Sequence, residues 1–339
     1  MQGNEILVVK DLRKLFPVRR GIAGALRRQP KRWVHAVDGL SFTLQQGEIL
    51  ALVGESGSGK TTTGLCTLGL VEPSEGEVRL EGDDVIEMVH SRRRKELRRK
   101  AQLIFQDPYE SLNPRQRVFR AVSEALGVHR LATSHEEKVE KVTDALEDAG
   151  LKPASAFLDR FPQQLSGGQR QRVVIASALV LDPVYLVADE PVSMLDVSIR
   201  AEILNLLLRL RDNHRITMIY ITHDLASAAY IADRVAVMYL GRIVEIGPAD
   251  VVLGDPRHPY TRALMSVIPV PNPRRRRTRM VLKGETPDPI DLPSGCRFHP
   301  RCPEVFALCP KVEPKLEDLG DDHQAACLLA SAIEAPAGF

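Results

Sequence analysis

Residues 54–61 read GESGSGKT, a match to G-x-x-x-x-G-K-[ST], and they stand between the apolar run Ile49–Val53 and a helical run that begins near Thr62. A strand, a glycine-rich loop and a helix in that order form a phosphate cradle. Glycines at 54, 57 and 59 let successive backbone N–H groups point at phosphate oxygens, and the helix that follows adds its positive N-terminal end. Lys60 is expected to reach the β- and γ-phosphates and Thr61 the magnesium ion of a bound nucleotide. Gly54, Ser56, Gly57, Ser58, Gly59, Lys60, Thr61 and Thr62 are therefore the candidate nucleotide contacts.

Working outward, apolar runs rich in Val, Ile and Leu alternate with stretches of helical period, which predicts an α/β domain around a largely parallel sheet. The expected strands are Ile49–Val53, Gln102–Phe105, Tyr185–Ala188 and Thr217–Ile221. Between Asn113 and Gln164 the strands stop, and helices are expected near 117–127 and 136–149. The stretch RVAVMYLGRIVEIG at 234–247 reads as a hairpin turning at Gly241-Arg242. Beyond Pro269 the composition becomes rich in Pro and charge, which predicts a linker or a loop-built appendage.

Hydrolysis needs more than a cradle: a carboxylate to hold the metal and a group to place water. Asp189 and Glu190 end the run YLVAD, so a buried strand would deliver both to the sheet edge where ligands of such sheets bind. Successive residues leaving a strand diverge, which suits Asp189 for magnesium and Glu190 for the attacking water. Gln106 and His223 also follow apolar strands and are expected at the same edge. At 165–169 the chain reads LSGGQ before a strongly helical run, with Ser166 as the capping residue. Ser166, Gly167, Gly168 and Gln169 thus form a second anion-ready helix start. One subunit already has its own cradle, so this surface is expected to close over nucleotide held by another subunit.

The series GESGSGKT, Gln106, LSGGQ, YLVADE, SMLD and His223 resembles the ATP-binding subunit of an ABC transporter, from about residue 5 to 260. The resemblance implies a P-loop ABC ATPase fold with a helical subdomain at about 108–182 and an N-terminal β-subdomain, the nucleotide-binding domain covering 1–258. It further implies that Glu190 is the water-orienting base and His223 the γ-phosphate sensor. Gln106 would link the magnesium site to a membrane partner and join Thr61 and Asp189 at the metal. Ser166 and Gly168 would touch the γ-phosphate of the sister subunit, and Asp196 would lie in the loop joining two ATP sites. Met194 departs from the small residue usual in that loop. Phe16 sits at the family's adenine-stacking position, with Trp33 as a rival across the insertion at 21–31.

QDPYESLNPR at 106–115, HPYTRAL at 258–264 and the cysteine-bearing tail at 259–339 resemble the oligopeptide/dipeptide importer subgroup, some members of which move nickel. That resemblance implies a second, different ATPase chain, two membrane permease subunits and an extracytoplasmic solute-binding protein. Alternatives are an importer of nickel or another small solute, and a soluble ABC-type ATPase acting on nucleic acid.

Four of the five cysteines, Cys296, Cys302, Cys309 and Cys327, fall in the tail as C-x5-C-x6-C-x17-C. In a reducing compartment such density favours metal over disulfides. Four thiolates can hold a [4Fe–4S] cluster, which fits the subgroup's pattern; zinc and simple buried thiols are the alternatives, and Cys66 is expected in the core. The charge balance of 46 basic against 44 acidic residues leaves a net +2, so no global field points to nucleic acid. The Arg-rich runs 92–100 and 274–279 lack interleaved aromatics and are read as solvated faces, the latter near lipid headgroups. Residues 1–16 lack a secretory pattern, and the longest clean apolar run, Val173–Leu181, is too short to cross a bilayer. The chain is expected to be peripheral on the cytoplasmic face of the inner membrane.

Overall fold

The computed structural model describes residues 5–18, 31–267, 280 and 282–330. The Arg274–Arg279 run and most of the insertion at 21–31 lie outside the described residues. The chain divides into two compact units, one made of residues 1–7, 44–49 and 79–221, the other of residues 8–43, 50–78 and 222–339.

The first unit is built on parallel strands, Ala101–Ile104, Tyr185–Asp189 and Thr217–Thr222, with Ala101 opposite Tyr185 and Tyr185 opposite Thr217. Tyr185, Leu186, Val187 and Ala188 are all buried, with no alternation. That is the pattern of a strand covered on both faces. Each expected strand here is found within one residue of its predicted ends. From Phe105 to Val184 no described residue is in a strand, and the segment is a helical bundle of Pro108–Ser111, Val118–His129, His135–Asp148 and Gly167–Leu179. Val118, Val122 and Leu126, spaced four apart, are the buried stripe of one of these helices. Ser134 starts the next by accepting a hydrogen bond from the Glu137 N–H at 3.1 Å, with Glu136 and Glu137 favouring the positive helix end.

In the second unit, Ile49–Val53 pairs in parallel with Arg234–Tyr239, Leu50 facing Arg234. Arg234–Tyr239 turns back as Arg242–Pro248. The turn is Leu240-Gly241 rather than the expected Gly241-Arg242, with φ of 43° and 77°. A two-residue hairpin of this twist needs positive φ at both central positions, and here a leucine accepts it. The long strands Glu5–Pro17 and Trp33–Gln45 run side by side, in keeping with the N-terminal β-subdomain.

The tail adds a short strand, Gln324–Ala325, to the edge of Arg242–Pro248, Glu245 facing Ala325. Glu245 is fully buried. Its carboxylate accepts from the backbone N–H groups of Arg257 at 2.6 Å and His258 at 3.1 Å, and His323 Nε2 lies 2.7 Å from Oε1. One buried carboxylate, satisfied by three donors, thus fastens both HPYTRAL and the tail to the sheet. His258 Nδ1 then accepts from the Tyr260 N–H at 3.0 Å and caps the helix Pro259–Ser266.

Candidate functional site

The strand Ile49–Val53 is wholly buried and runs straight into the glycine-rich loop. At Gly59 φ is 103°, and a Cβ there would lie 2.1 Å from the Ala36 carbonyl oxygen. At Gly54 φ is 150°, and a Cβ would meet the Met238 oxygen at 2.3 Å. Both positions need glycine for conformation and for space. Lys60 opens the helix Lys60–Thr67 and is buried, its Nζ donating to the carbonyls of Gly54 and Glu55, each at 2.8 Å, and to Ser58 Oγ at 3.3 Å. The loop is thus wrapped around one ammonium group. Ser56, Gly57 and Thr61 face solvent, and Thr62 is half-buried.

His223, also in this unit, is exposed and follows directly on Thr217–Thr222. Phe16 and Trp33 are 37% and 38% exposed, and the Lys14 ammonium stands 5.0 Å from the Phe16 ring centre. Both remain surface aromatics rather than core.

In the first unit, Gln106 Nε2 donates to Glu190 Oε2 at 3.1 Å, so the ends of two parallel strands are joined through two of the expected site residues. Glu190 has a φ of 46°, unusual for a residue with a side chain. Its N–H donates to the Ile221 oxygen at 2.9 Å, and its own oxygen accepts from Ser193 Oγ at 3.0 Å. A strained backbone held by its neighbours fixes where the carboxylate leaves the strand. Asp189 ends its strand opposite Ile221. Arg200 donates to the Leu195 and Ser193 carbonyls and steadies the loop carrying Met194 and Asp196. Met194 is 58% exposed.

LSGGQ is a helix start as expected. Ser166 Oγ accepts from the Gln169 N–H at 3.3 Å, and Gln169 Oε1 accepts from the Ser166 N–H at 3.1 Å. This reciprocal cap satisfies two backbone donors. Gly168 has a further reason to be glycine, because a Cβ would lie 2.6 Å from Ile199 Cγ2. Packing therefore shares that position with any anion.

The four tail cysteines are not joined in disulfides, and Cys296 donates its N–H to the Cys309 oxygen at 2.8 Å. Burial, helped by the neighbouring thiols, pushes Cys296 and Cys302 up to about 11. Cys327 is raised by burial too, with Cys309 adding to it. Their charges feel one another, yet no group of three or more His, Cys, Asp or Glu among the described residues is placed to hold a metal ion. Cys66 is in the core as expected, its thiol pushed up to about 12 by burial.

Residues that no catalytic or binding motif marks also reach the phosphate loop. The N–H of Glu55 donates to Tyr260 Oη at 2.9 Å, and the Glu55 carboxylate accepts from both Arg301 terminal nitrogens, at 2.7 and 3.1 Å. These partners lie 205 and 246 positions away. HPYTRAL was the one available hint, and it marks a subgroup rather than a contact.

The ABC transporter family matches residues 37–193, and the family described as oligopeptide/dipeptide transporter, C-terminal region, matches residues 244–309. The chain is 43% identical over 328 residues to the oligopeptide transport ATP-binding protein AppF of Bacillus subtilis, spanning 96% of this chain and 98% of that one. It is 43% identical over 332 residues to the dipeptide transport ATP-binding protein DppF of Escherichia coli, spanning 98% of this chain and 96% of the relative. Among solved structures it is similar to cbiO1 of Clostridium perfringens, part of the cbiONQ ABC transporter complex, at a TM-score of 0.61 and 29% identity, over 74% of this chain and 92% of that one. It is also similar to the dimeric ATP-binding cassette MJ0796 with ADP and Pi bound, at a TM-score of 0.62 and 28% identity, over 72% of this chain and 99% of that one.

Proposed function

Since this chain belongs to the ABC transporter family, we propose that it is the ATP-hydrolysing subunit of a peptide importer, peripheral on the cytoplasmic face of the inner membrane. The observation that carries the reading is the loop 54–61 closed around Lys60, with no room for a side chain at Gly54 or Gly59. The relatives named for oligopeptide and dipeptide transport, matched over nearly their whole length, support the cargo class.

Lys60 and the loop amides bind the β- and γ-phosphates, and Phe16, in preference to Trp33, stacks on adenine. Thr61, Asp189 and Gln106 are the residues that would hold Mg2+, which supplies charge neutralisation on the phosphate oxygens when bound. Glu190 orients the attacking water and takes its proton, and its bond to Gln106 supports this role by fixing the carboxylate. His223 reads the γ-phosphate. Ser166, Gly167, Gly168 and Gln169 face nucleotide held by a sister ATPase chain, with Asp196 in the loop between the sites. The dimeric cassette among the solved relatives supports that pairing.

Two permeases and an extracytoplasmic binding protein complete the assembly, and no helix among the described residues is long and apolar enough to cross a membrane by itself. Cys296, Cys302, Cys309 and Cys327 are the residues that would hold a [4Fe–4S] cluster, or zinc in its place. Burial, and to a smaller degree the neighbouring thiols, raises the pKa of Cys296 and Cys302, so a bound cation would offset charge that this part of the tail disfavours. Such a group would supply cross-linking of the tail loops.

The test is reconstitution in proteoliposomes with the permeases, the partner ATPase and the binding protein. Peptide-stimulated ATP hydrolysis with peptide accumulation supports the reading. Copurification with nucleic acid and no response to peptide would refute it. Iron and sulfide analysis after anaerobic purification tests the cluster, and a colourless protein with one zinc would replace it.

A further inference from the structure

Glu55 is the second residue of the phosphate loop, and every polar group it carries is engaged. Its carbonyl accepts from Lys60 Nζ at 2.8 Å. Its N–H donates to Tyr260 Oη, and its carboxylate accepts two bonds from Arg301 and one, at 2.8 Å, from Thr286 Oγ1. Arg301 also donates to Thr286 Oγ1 at 3.1 Å, closing a small ring of bonds. Burial alone would raise the Glu55 carboxyl, but Arg301 and Thr286 more than offset that and hold it below the ordinary value.

A second strut runs parallel to the first. Arg297 Nη1 donates to the Leu240 oxygen at 2.6 Å, and Gly241 N–H donates to the Ser58 oxygen at 3.0 Å. Arg297 also pairs with Asp38. Both arginines are more than nine-tenths buried, at 9% and 8% exposure. Between them Phe298 packs edge-on against Tyr239, centroids 5.3 Å apart, and at 5.4 Å from Tyr260. A long charged side chain is ordered at a cost in entropy. One buried arginine on the loop, and another on the turn whose Gly241 bonds it, are therefore a built feature.

We propose that Glu55 is a positioning residue through which Arg301 and Tyr260 brace the phosphate loop, so that the segment 297–301 sets the affinity of the loop for nucleotide. The inference rests on the reading of this loop as the ATP cradle. A loop whose amides are already arranged loses less conformational freedom on binding a triphosphate. A bidentate carboxylate–guanidinium pair fixes direction as well as distance. The brace touches neither the reacting phosphate nor the water, so it acts on binding more than on turnover.

The experiment is a double-mutant cycle on the full chain, with Glu55→Gln, Arg301→Gln and both together, reading ATP dissociation constant, KM, kcat and melting temperature. Each single variant is expected to bind ATP about tenfold more weakly, the scale of a lost charged hydrogen bond, with kcat within about threefold. The double variant should be no worse than the weaker single, and Arg301→Lys should recover part of the loss. If Arg301→Gln does not fold, Tyr260→Phe removes one oxygen at constant shape and should weaken ATP severalfold. Folded variants that bind ATP as the wild type does, or losses that simply add, overturn the brace alone. A wild-type chain that retains no ATP overturns the transport-ATPase reading and the brace together.

Discussion

Gln106 Nε2 and Glu190 Oε2 are 3.1 Å apart, joining the ends of two parallel strands through a neutral donor and a carboxylate. The bond fixes the direction of the Glu190 side chain, as a base that must align one water requires. Glu190→Gln keeps the shape and removes the base. It should leave ATP binding intact and lower kcat about 100-fold or more, the scale of general-base catalysis. Single-turnover hydrolysis checks this, and undiminished turnover would reject Glu190 as the base.

Gly59 and Gly168 should respond differently to alanine. At Gly59 the new Cβ would meet a backbone oxygen at 2.1 Å. At Gly168 it would meet the Cγ2 methyl of Ile199 at 2.6 Å, a side-chain atom rather than backbone. Gly59→Ala should abolish nucleotide retention, whereas Gly168→Ala should cost about 1–3 kcal/mol, the range for modest overpacking. Urea denaturation with ATP titration separates the two.

Most of the phosphate loop was legible because a strand, a glycine pattern and a helix are consecutive in the chain. The strands Ile49–Val53 and Tyr185–Asp189 were legible for a similar reason, since burial on both faces leaves an unbroken apolar run. The turn after Tyr239 lies one residue before the expected Gly241-Arg242, since leucine is a poor signal for positive φ, and Leu240 takes that conformation with its carbonyl bonded by Arg297. The tie of Glu55 to Arg301 could not be read at all. A salt bridge across 246 positions has no local pattern. The density of the four cysteines suggests a metal site, but their spacing carries no ligand geometry, and among the described residues no such group is placed to hold a metal ion.

His258 gives the fold a pH dependence with a definite sign. Burial pushes its imidazole down to about 4 from 6.5, with Glu245 opposing and Arg262 adding to the shift. The unfolded chain therefore binds the extra proton between those values, and stability is full above pH 6.5 and falls as pH drops toward 4. His258→Asn keeps a side chain able to cap Pro259–Ser266 but does not titrate. Melting temperatures at pH 7 and pH 5 should converge in the variant relative to wild type, and an unchanged difference would contradict the assignment.

Phe16 and Trp33 are separable by nucleotide choice. Phe16→Ala should weaken ATP by about 1 kcal/mol or more, the value of one base stacked on an aromatic ring, while leaving inorganic triphosphate unaffected. Trp33→Ala should change neither. A loss confined to Trp33→Ala would move the adenine site to the start of the strand Trp33–Gln45.

Equilibrium dialysis of ATP with Mg2+ against the full chain, in the presence of its partner ATPase and alongside Lys60→Ala, addresses the cradle most directly. Saturable retention by the wild type and its loss in Lys60→Ala is the predicted result. Equal retention by both chains, or none by either, would contradict a triphosphate gripped by residues 54–61.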